Sequence, residues 1–422
     1  MAAPAAPPDP AAAADAAAMV ARDSYGRLLA WLAWRWRDLA AAEDALAEAL
    51  ASALQTWPRT GVPASPDAWL MTAAKRNLLQ MNRHDRVVND PAVTLLLAVD
   101  EEAPEAEQVP DQRLKLLFVC AHPAVDASVR TALMLQTVLG LEAKQIAAAF
   151  LVSPSAMAQR LVRAKAKIAA AGIAFEEPET SDLPERIHAV LEAIYAAYGL
   201  GWDGSDMAAA ERTDLTNEAL YLSELTHALL PDSAEAAGLR ALLLLCESRR
   251  RARFAPDGAF VPLHEQDTHL WDVDLIRRAD QLLWHASSRR TPGPFQLEAA
   301  IQAAHCHRVF TGTVPWTGIA QLYAHLVRLA PTLGAQVGHA VAVGEAGAPA
   351  DGLALLDAIA ADKSAAQALG SYQPYWVARA HLLARTGQQA PARDSYERAV
   401  GLTTLPAIRR HLQSRLQTLD AR

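Results

Sequence analysis

The stretch from Leu141 to Ile168, LEAKQIAAAFLVSPSAMAQRLVRAKAKI, predicts two helices joined by a tight corner. In the first helix Ile146 and Phe150 lie four residues apart, on one face. After an apolar corner, Ser153 is suited to cap a new helix, and Pro154 is suited to its first position. The stretch therefore predicts a helical corner whose second helix starts at a defined residue.

The second helix has a buried stripe and a basic face. Its apolar residues recur at helical spacing, at Met157, Leu161, Ala164 and Ile168. Between Lys144 and Gly172 the chain has five basic residues and no acid, although the whole chain has a net charge of -8. Such a local basic cluster favours phosphate contact and predicts a helix-turn-helix with a basic recognition helix. An amphipathic hairpin with a solvated basic face would show the same pattern.

Composition predicts an all-α protein. The chain has 422 residues, of which 52% are hydrophobic and only 6% aromatic. Its alanine and leucine content favours helices, and its length allows two to four domains. Three widely separated cysteines predict neither a disulfide framework nor a metal site, as is typical of a reducing cytoplasm.

The Ala/Pro-rich residues 1–20 predict a disordered lead-in. They have no basic start and no bulky apolar core, so we expect neither a signal peptide nor a membrane span there. The longest later apolar run, residues 241–246, is too short to cross a bilayer. We therefore expect a soluble, cytoplasmic protein.

Residues 21–90 predict a first helical domain. Two amphipathic blocks fill residues 21–57, and residues 56–66, with three prolines and a glycine, predict a loop. A further helix should run from a capping Asp67 to Val88 and bury Trp69, Leu70, Ala73 and Leu78. We expect Trp69 to pack in the core rather than to stack on a ligand.

Charge and proline content predict the remaining boundaries. Residues 91–110 contain five acids and no basic residue, which predicts an acidic linker. Residues 111–175 then form a second helical domain that ends in the helix-turn-helix, and residues 176–184 form a hinge. Residues 185–422 predict a helical extension.

The extension shows a tetratricopeptide-like pattern. Its clearest copy alternates small and large residues over roughly 34 positions, at Trp376, Ala380, Leu383, Gly387, Ala392, Tyr396 and Ala399. Stacked hairpins of this kind present a concave binding surface.

Four blocks in this order resemble a known family. They are AEDALAEAL (Ala42 to Leu50), PDAWLMTAAKRN (Pro66 to Asn77), the acidic linker, and LLFVCAHP (Leu116 to Pro123) followed by the helix-turn-helix. The chain resembles an extracytoplasmic-function type sigma factor of bacterial RNA polymerase, in the subgroup with a C-terminal tetratricopeptide-like extension. The resemblance runs from about residue 22 to the end. It implies two small sigma domains, of regions 2 and 4, followed by the repeat domain.

The resemblance also implies roles for individual residues. In region 2, the acids that would bind core RNA polymerase are Glu43, Asp44 and Glu48, and the residues that would bind the unwound -10 element are Lys75, Arg76, Asn77 and Arg83. In region 4, the residues that would bind the -35 element are Ser155, Ala158, Gln159, Arg160, Arg163, Lys165 and Lys167. Arginine pairs well with guanine and glutamine with adenine, so Gln159, Arg160 and Arg163 suit base contacts. Standing alone, the three acids would favour a solvated acidic helix face.

Three hypotheses about function follow. The first is a sigma factor, which recruits polymerase, recognises the -10 and -35 elements, promotes melting, and is itself neither an enzyme nor cofactor-dependent. The second is a helix-turn-helix regulator with a sensing repeat domain that never joins polymerase. The third is a metal-dependent hydrolase built around HEQDTH (His264 to His269). Its histidines are five apart and so do not share a helix face, and those of His305-Cys306-His307 diverge, so we expect no metal site.

The extension could regulate activity or bind a partner. It offers a large surface, and the subgroup resemblance implies a small YCII-related protein as a possible associate. We expect the extension to gate the two DNA-binding domains.

Overall fold

The computed structural model describes residues 10–86, 112–150, 152–173, 183–203, 209–362 and 366–420. In these ranges every regular element is a helix, apart from an isolated antiparallel bridge between Phe254 and Phe260. The all-α prediction is therefore confirmed. The chain divides into two compact units, Met1–Leu222 and Ser223–Arg422.

The helices of the first unit fall in two groups. The first group is α1 (Pro10–Asp23), α2 (Tyr25–Trp36), α3 (Leu39–Thr60) and α4 (Pro66–Arg86), and the second is α5 (Arg113–Cys120), α6 (Ala127–Thr137), α7 (Ala143–Ala149), α8 (Pro154–Ala171), α9 (Leu183–Asp203) and α10 (Ala209–Leu229), within which the unit boundary falls. The expected acidic linker at residues 91–110 lies outside the described residues, as does the expected hinge up to residue 182. Residues 183–184 belong to α9 rather than to a hinge.

The expectation of disorder over residues 1–20 is wrong for its second half. Pro10–Asp23 forms α1, and this helix packs on α3. Ala17 and Val20 are buried. Alanine is the best helix former, so a run that composition marks as low-complexity becomes an ordinary helix once a neighbouring surface covers its apolar side.

The expected loop at residues 56–66 is shorter in the structure. Helix α3 continues to Thr60 with Pro58 inside it, so only residues 61–65 connect α3 to α4. Trp57 is 1% exposed, and its ring meets that of Trp69 at 5.5 Å between centroids. Burial of Trp57 against the Trp69 ring stabilises the last turn, although Pro58 has no backbone N–H to donate. Gly61, with φ of 85°, ends the helix.

Helix α4 buries a face different from the one expected. Leu70, Met71, Ala74 and Leu78 are buried, whereas Trp69 and Ala73 are only half-buried. Asp67 follows the first helical residue, so it does not cap α4 as expected. Its carboxylate instead accepts hydrogen bonds from Ser24 and Arg27, which ties the start of α4 to α2.

The first two helices of the expected extension pack inside the first unit. Helix α9 packs against α5 and α6. On α10, Glu218 forms an ion pair with Arg113 of α5, whose guanidinium also lies 5.0 Å from the ring of Tyr221. By packing, the first unit therefore extends to Leu222 rather than ending near residue 175.

The second unit consists of further helices joined by short connections. They are α11 (Ala234–Glu247), α12 (Val273–Ser288), α13 (Pro294–Cys306), α14 (Arg308–Thr311), α15 (Trp316–Leu329), α16 (Leu333–Glu345), α17 (Pro349–Ala361), α18 (Ala366–Leu369), α19 (Gln373–Arg385), α20 (Gln389–Leu402) and α21 (Pro406–Asp420). Successive helices pack as pairs, and the last predicted hairpin is α19 with α20, joined through Gly387 at φ of 79°. Its small predicted positions, Ala380, Ala392 and Ala399, are fully buried.

Candidate nucleic-acid interface

The corner between α7 and α8 is fixed by hydrogen bonds that the sequence encodes. Glu142 and Gln145 form a capping box at the start of α7. The side chain of Ser153 accepts a hydrogen bond from the backbone N–H of Ala156, and Pro154 occupies the first turn of α8. Gly172 ends α8 in the left-handed conformation. The predicted start and end of this helix are therefore set by local chemistry.

The predicted buried stripe of α8 is confirmed, and the opposite face is polar and basic. Met157, Leu161, Ala164 and Ile168 are all buried. Six of the seven residues expected to meet DNA are exposed or half-exposed and have no ion pair with any residue that the structure describes: Ser155, Ala158, Gln159, Arg160, Arg163 and Lys167. The Arg163 Nε donates to the backbone oxygen of Gln159, at 3.3 Å. Their guanidinium and ammonium groups therefore present positive charge along one helix face.

Arg160 lies close enough to Asp126 to influence it. Asp126 accepts hydrogen bonds from the backbone N–H and hydroxyl of Ser128 at the start of α6, and these bonds lower the pKa of its carboxyl first. Arg160 lowers the pKa further through its charge. Arg130 contributes to this lowering as well, so Asp126 lies in the positive field of both arginines.

Lys165, the seventh residue, faces inward. Its Nζ lies 2.7 Å from Oε2 of Glu43 on α3, and the two side chains are only 19% and 15% exposed. The structure therefore brings a residue expected to contact DNA against a residue expected to contact polymerase. Burial raises the pKa of Glu43, and Lys165 opposes that rise. Sequence gave no signal for this pair, because the two residues lie 122 positions apart along the chain.

Two further contacts join α2 to the α5–α8 group. Gly26 lies so close to the end of α6 that a Cβ at this position would be 1.8 Å from the carbonyl oxygen of Val138. The Lys115 ammonium lies 5.9 Å from the ring centroid of Trp34. The groups expected to form two separate modules, α1–α4 and α5–α8, therefore contact each other in this structure.

The four region 2 residues expected to meet single-stranded DNA have different environments. The Lys75 ammonium lies 4.6 Å from the ring centroid of Trp31. Asn77 donates a hydrogen bond from its Nδ2 to the backbone oxygen of Ala45, at 3.1 Å, which ties α4 to α3. Arg76 is exposed, and the side chain of Arg83 lies outside the described residues. Asn77 therefore has a structural contact that the sequence did not indicate.

The acids expected to bind polymerase lie on α3. Asp44 and Glu48 are exposed, whereas Glu43 is held by Lys165. Burial and the two neighbouring carboxylates of Glu43 and Asp44 raise the pKa of Tyr25 well above its usual range. Tyr25 therefore stays protonated at any physiological pH.

The histidine motifs have other environments. HEQDTH spans two short 3₁₀ turns in a loop, and the His264 Nε2 lies 3.3 Å from Oε1 of Glu265. His307 contacts Asp280 at 3.1 Å, while His305 packs against Trp316. Among the described residues, no group of three His, Cys, Asp or Glu side chains is arranged to hold a metal ion. The described helices include none with the length and apolarity to span a membrane.

Comparison with known proteins identifies two segments. Residues 116–168 match Sigma-70, region 4, and residues 186–287 match a family of unknown function, DUF6596. An uncharacterized protein of Rhizobium meliloti (strain 1021) is 38% identical over 393 residues, which cover 92% of each chain. The chain belongs to the family of this Rhizobium protein. No solved structure matches.

The region 4 match covers α5 to α8 almost to its end, and so includes the basic helix and its corner. It supports a sigma-70 family factor with a role in promoter recognition. The DUF6596 match begins in α9 and ends in α12, and therefore crosses from the first unit to the second.

Proposed function

We propose that this protein is an extracytoplasmic-function type sigma factor that joins core RNA polymerase, recognises -10 and -35 promoter elements and promotes melting. The observation that carries the proposal is the region 4 domain, whose α8 exposes Gln159, Arg160 and Arg163 on one face of a helix anchored at Ser153. These side chains can reach base edges in the major groove, and Lys167 adds phosphate contact.

The region 2 roles belong to the same proposal. The exposed Asp44 and Glu48 would contact polymerase, and Arg76 would contact the -10 strand. Single-strand capture needs positive charge along the backbone, which the exposed Arg76 and the half-buried Lys75 supply. Glu43 and Lys165 form an ion pair with each other in this structure. Glu43 could therefore contact polymerase, and Lys165 could contact DNA, only after this ion pair has opened.

The test is transcription with purified core polymerase and a promoter library. We expect the full-length protein to start transcription with core enzyme alone. Arg160→Ala should lower specific initiation, because a good bidentate base contact contributes about 1–3 kcal/mol of discrimination, or roughly 5- to 150-fold. Arg328→Ala, which removes an exposed arginine from α15 in the second unit, is the matched control.

Two results would contradict the proposal. Unchanged initiation by Arg160→Ala would remove this residue from the recognition surface. Specific DNA binding without core-dependent initiation would instead identify a helix-turn-helix regulator that does not join polymerase.

We further propose that the second unit is a tetratricopeptide-like domain that regulates the factor or binds a partner, for which a small YCII-related protein is one candidate. The paired helices and the buried alanines of α19 and α20 support this assignment. Co-purification of such a protein with the full-length chain would test it. Because α9 and α10 pack on region 4, point variants in α19 to α21 test regulation better than truncation near residue 175.

A further inference from the structure

The second unit contains a cavity of about 900 Å³. Its walls come from the loop that follows residue 253 and from α13, α14, α15, α16, α19, α20 and α21. At one edge, the rings of Phe260 in the loop and His411 on α21 meet at 5.7 Å between centroids. This contact joins the loop to α21. The volume lies in the range of small-molecule sites, which favours a compact ligand over a peptide that runs across the surface.

Most of the cavity wall is apolar and aromatic. Six aromatic side chains line it: Phe260, Trp271, Trp316, Tyr323, Tyr372 and Tyr396. Burial keeps two polar side chains of the wall, Tyr323 and His305, uncharged. It raises the pKa of Tyr323 to about 12 and lowers that of His305 to about 4. A ligand with a large apolar body would gain from contact with these walls.

Arg308 places a positive charge against these walls. Its guanidinium lies 4.9 Å from the ring centroid of Trp271 and donates to the backbone oxygens of His264 and Gln266, both at 2.8 Å. A guanidinium has five N–H donors, so these bonds leave donors for a further acceptor. Among the residues that the structure describes, no carboxylate is paired with Arg308. Burial and the charge of Arg249, another cation, lower the pKa of its guanidinium, and Cys306 opposes them.

A second donor lies beside this arginine. Trp271 is 4% exposed and lines the cavity, and its Nε1–H has no acceptor in the described parts of the chain. Leaving a buried donor without an acceptor is unfavourable, so a bound acceptor at this position would be stabilised.

The remaining charges leave the cavity suited to an anion. Glu345 forms an ion pair with Arg385 at 2.8 Å and a hydrogen bond with His381 at 2.6 Å. Glu265 is exposed and adjoins His264. Arg415 on α21 adds an exposed cation, for which the described residues supply no acid partner.

We propose that this cavity binds a small organic anion, whose acidic group is held by Arg308 and whose apolar body lies against the aromatic walls. The ligand class is a carboxylate or sulfonate on an aromatic or aliphatic body. The proposal does not depend on the sigma-factor assignment, because it rests on the second unit alone.

Binding of 1-anilinonaphthalene-8-sulfonate to the full-length protein tests the proposal. We expect one saturable site whose probe is displaced by naphthalene-2-carboxylate but much less by the neutral naphthalene-2-carboxamide. Arg308→Gln should weaken probe binding by roughly 10- to 100-fold, the size of a charge-assisted hydrogen bond, and should abolish the preference for the carboxylate.

Arg398→Gln is the matched control. Arg398 also stacks on a tryptophan, with its guanidinium 4.7 Å from the ring centroid of Trp376, and also donates to a backbone oxygen, that of Gly370. It lies on α20 and does not line the cavity. Its loss should leave probe affinity unchanged.

A second variant keeps the test decisive if Arg308→Gln disturbs the loop. Arg415→Glu reverses an exposed charge at the cavity. The resulting electrostatic repulsion of the anionic probe should weaken its binding roughly threefold or more. The proposal is overturned if the probe does not saturate one site, if the carboxamide competes as well as the carboxylate, or if a folded Arg308→Gln binds as wild type does. Displacement by polyglutamate but not by naphthalene-2-carboxylate would also overturn it, in favour of a peptide ligand.

Discussion

Gly26→Ala should loosen the contact between the α1–α4 and α5–α8 groups. The added Cβ would lie 1.8 Å from the carbonyl oxygen of Val138 and 2.9 Å from its carbonyl carbon. Both atoms belong to the backbone, so no side chain can rotate away to make room. Because α2 and the end of α6 are each held by their own neighbours, the substitution must separate them by more than 1 Å, a shift on the order of the overlap itself.

The magnitude follows from two opposing effects. Overpacking of this kind costs about 1–3 kcal/mol. Replacing a helical glycine by alanine returns about 1 kcal/mol through backbone entropy. Gly199→Ala, in the interior of α9 of the same unit, has at least the propensity gain of Gly26→Ala, which lies in the first turn of α2, but nothing lies within 4 Å of its Cβ. The difference between the two variants reports mainly the overlap and should be about 1–3 kcal/mol.

Urea unfolding followed by circular dichroism measures this difference. Gly199→Ala should be slightly more stable than wild type, and Gly26→Ala less stable than Gly199→Ala. Hydrogen exchange should be faster in peptides from α2 and the end of α6 in Gly26→Ala alone. If the two variants are equally stable, the close approach of Gly26 to Val138 does not hold in solution.

Two other substitutions probe charge. Lys165→Met should destabilise the first unit by about 1–3 kcal/mol at pH 7, because it leaves Glu43 charged and mostly buried, and Glu43→Gln in the same chain should restore part of the loss. Because burial raises the pKa of Glu43, this carboxyl is protonated in the folded variant at low pH, and the destabilisation by its charge appears only as pH rises above the usual carboxyl range. The melting temperatures of Lys165→Met and wild type should therefore converge near pH 4. In the second unit, burial lowers the pKa of His305 from 6.5 to about 4, so its neutral form contributes stability that is present above pH 6.5 and lost as pH falls towards 4. His305→Phe should remove this pH dependence, worth about 3 kcal/mol, and an unchanged acid transition in the variant would exclude His305 as its source.

Local chemistry made much of the fold predictable from sequence. Ser153 and Pro154 were enough to predict where α8 starts, and helical spacing was enough to predict which of its residues are buried. The errors came where tertiary packing overrode local preference. Pro58 stayed inside a helix because Trp57 is buried, and α1 formed because α3 covers it.

The site was predictable only in part, for a related reason. Exposure of Arg160 and Arg163 follows from helix geometry, which sequence spacing reveals. The partners of Lys165 and Asn77 depend on distant chain segments, which spacing within one helix cannot reveal. The cavity of the second unit was equally hidden, since its wall combines residues from 260 to 415.

The capped corner before α8 also fixes the rotation of that helix. Each residue of an α-helix turns the chain by about 100°. One amino acid inserted between Ser153 and Met157 would therefore either unseat the cap or swing Arg160 and Arg163 by more than a quarter-turn. Related proteins of this family should accordingly tolerate side-chain substitutions on that face of α8 far better than insertions or deletions at the start of α8.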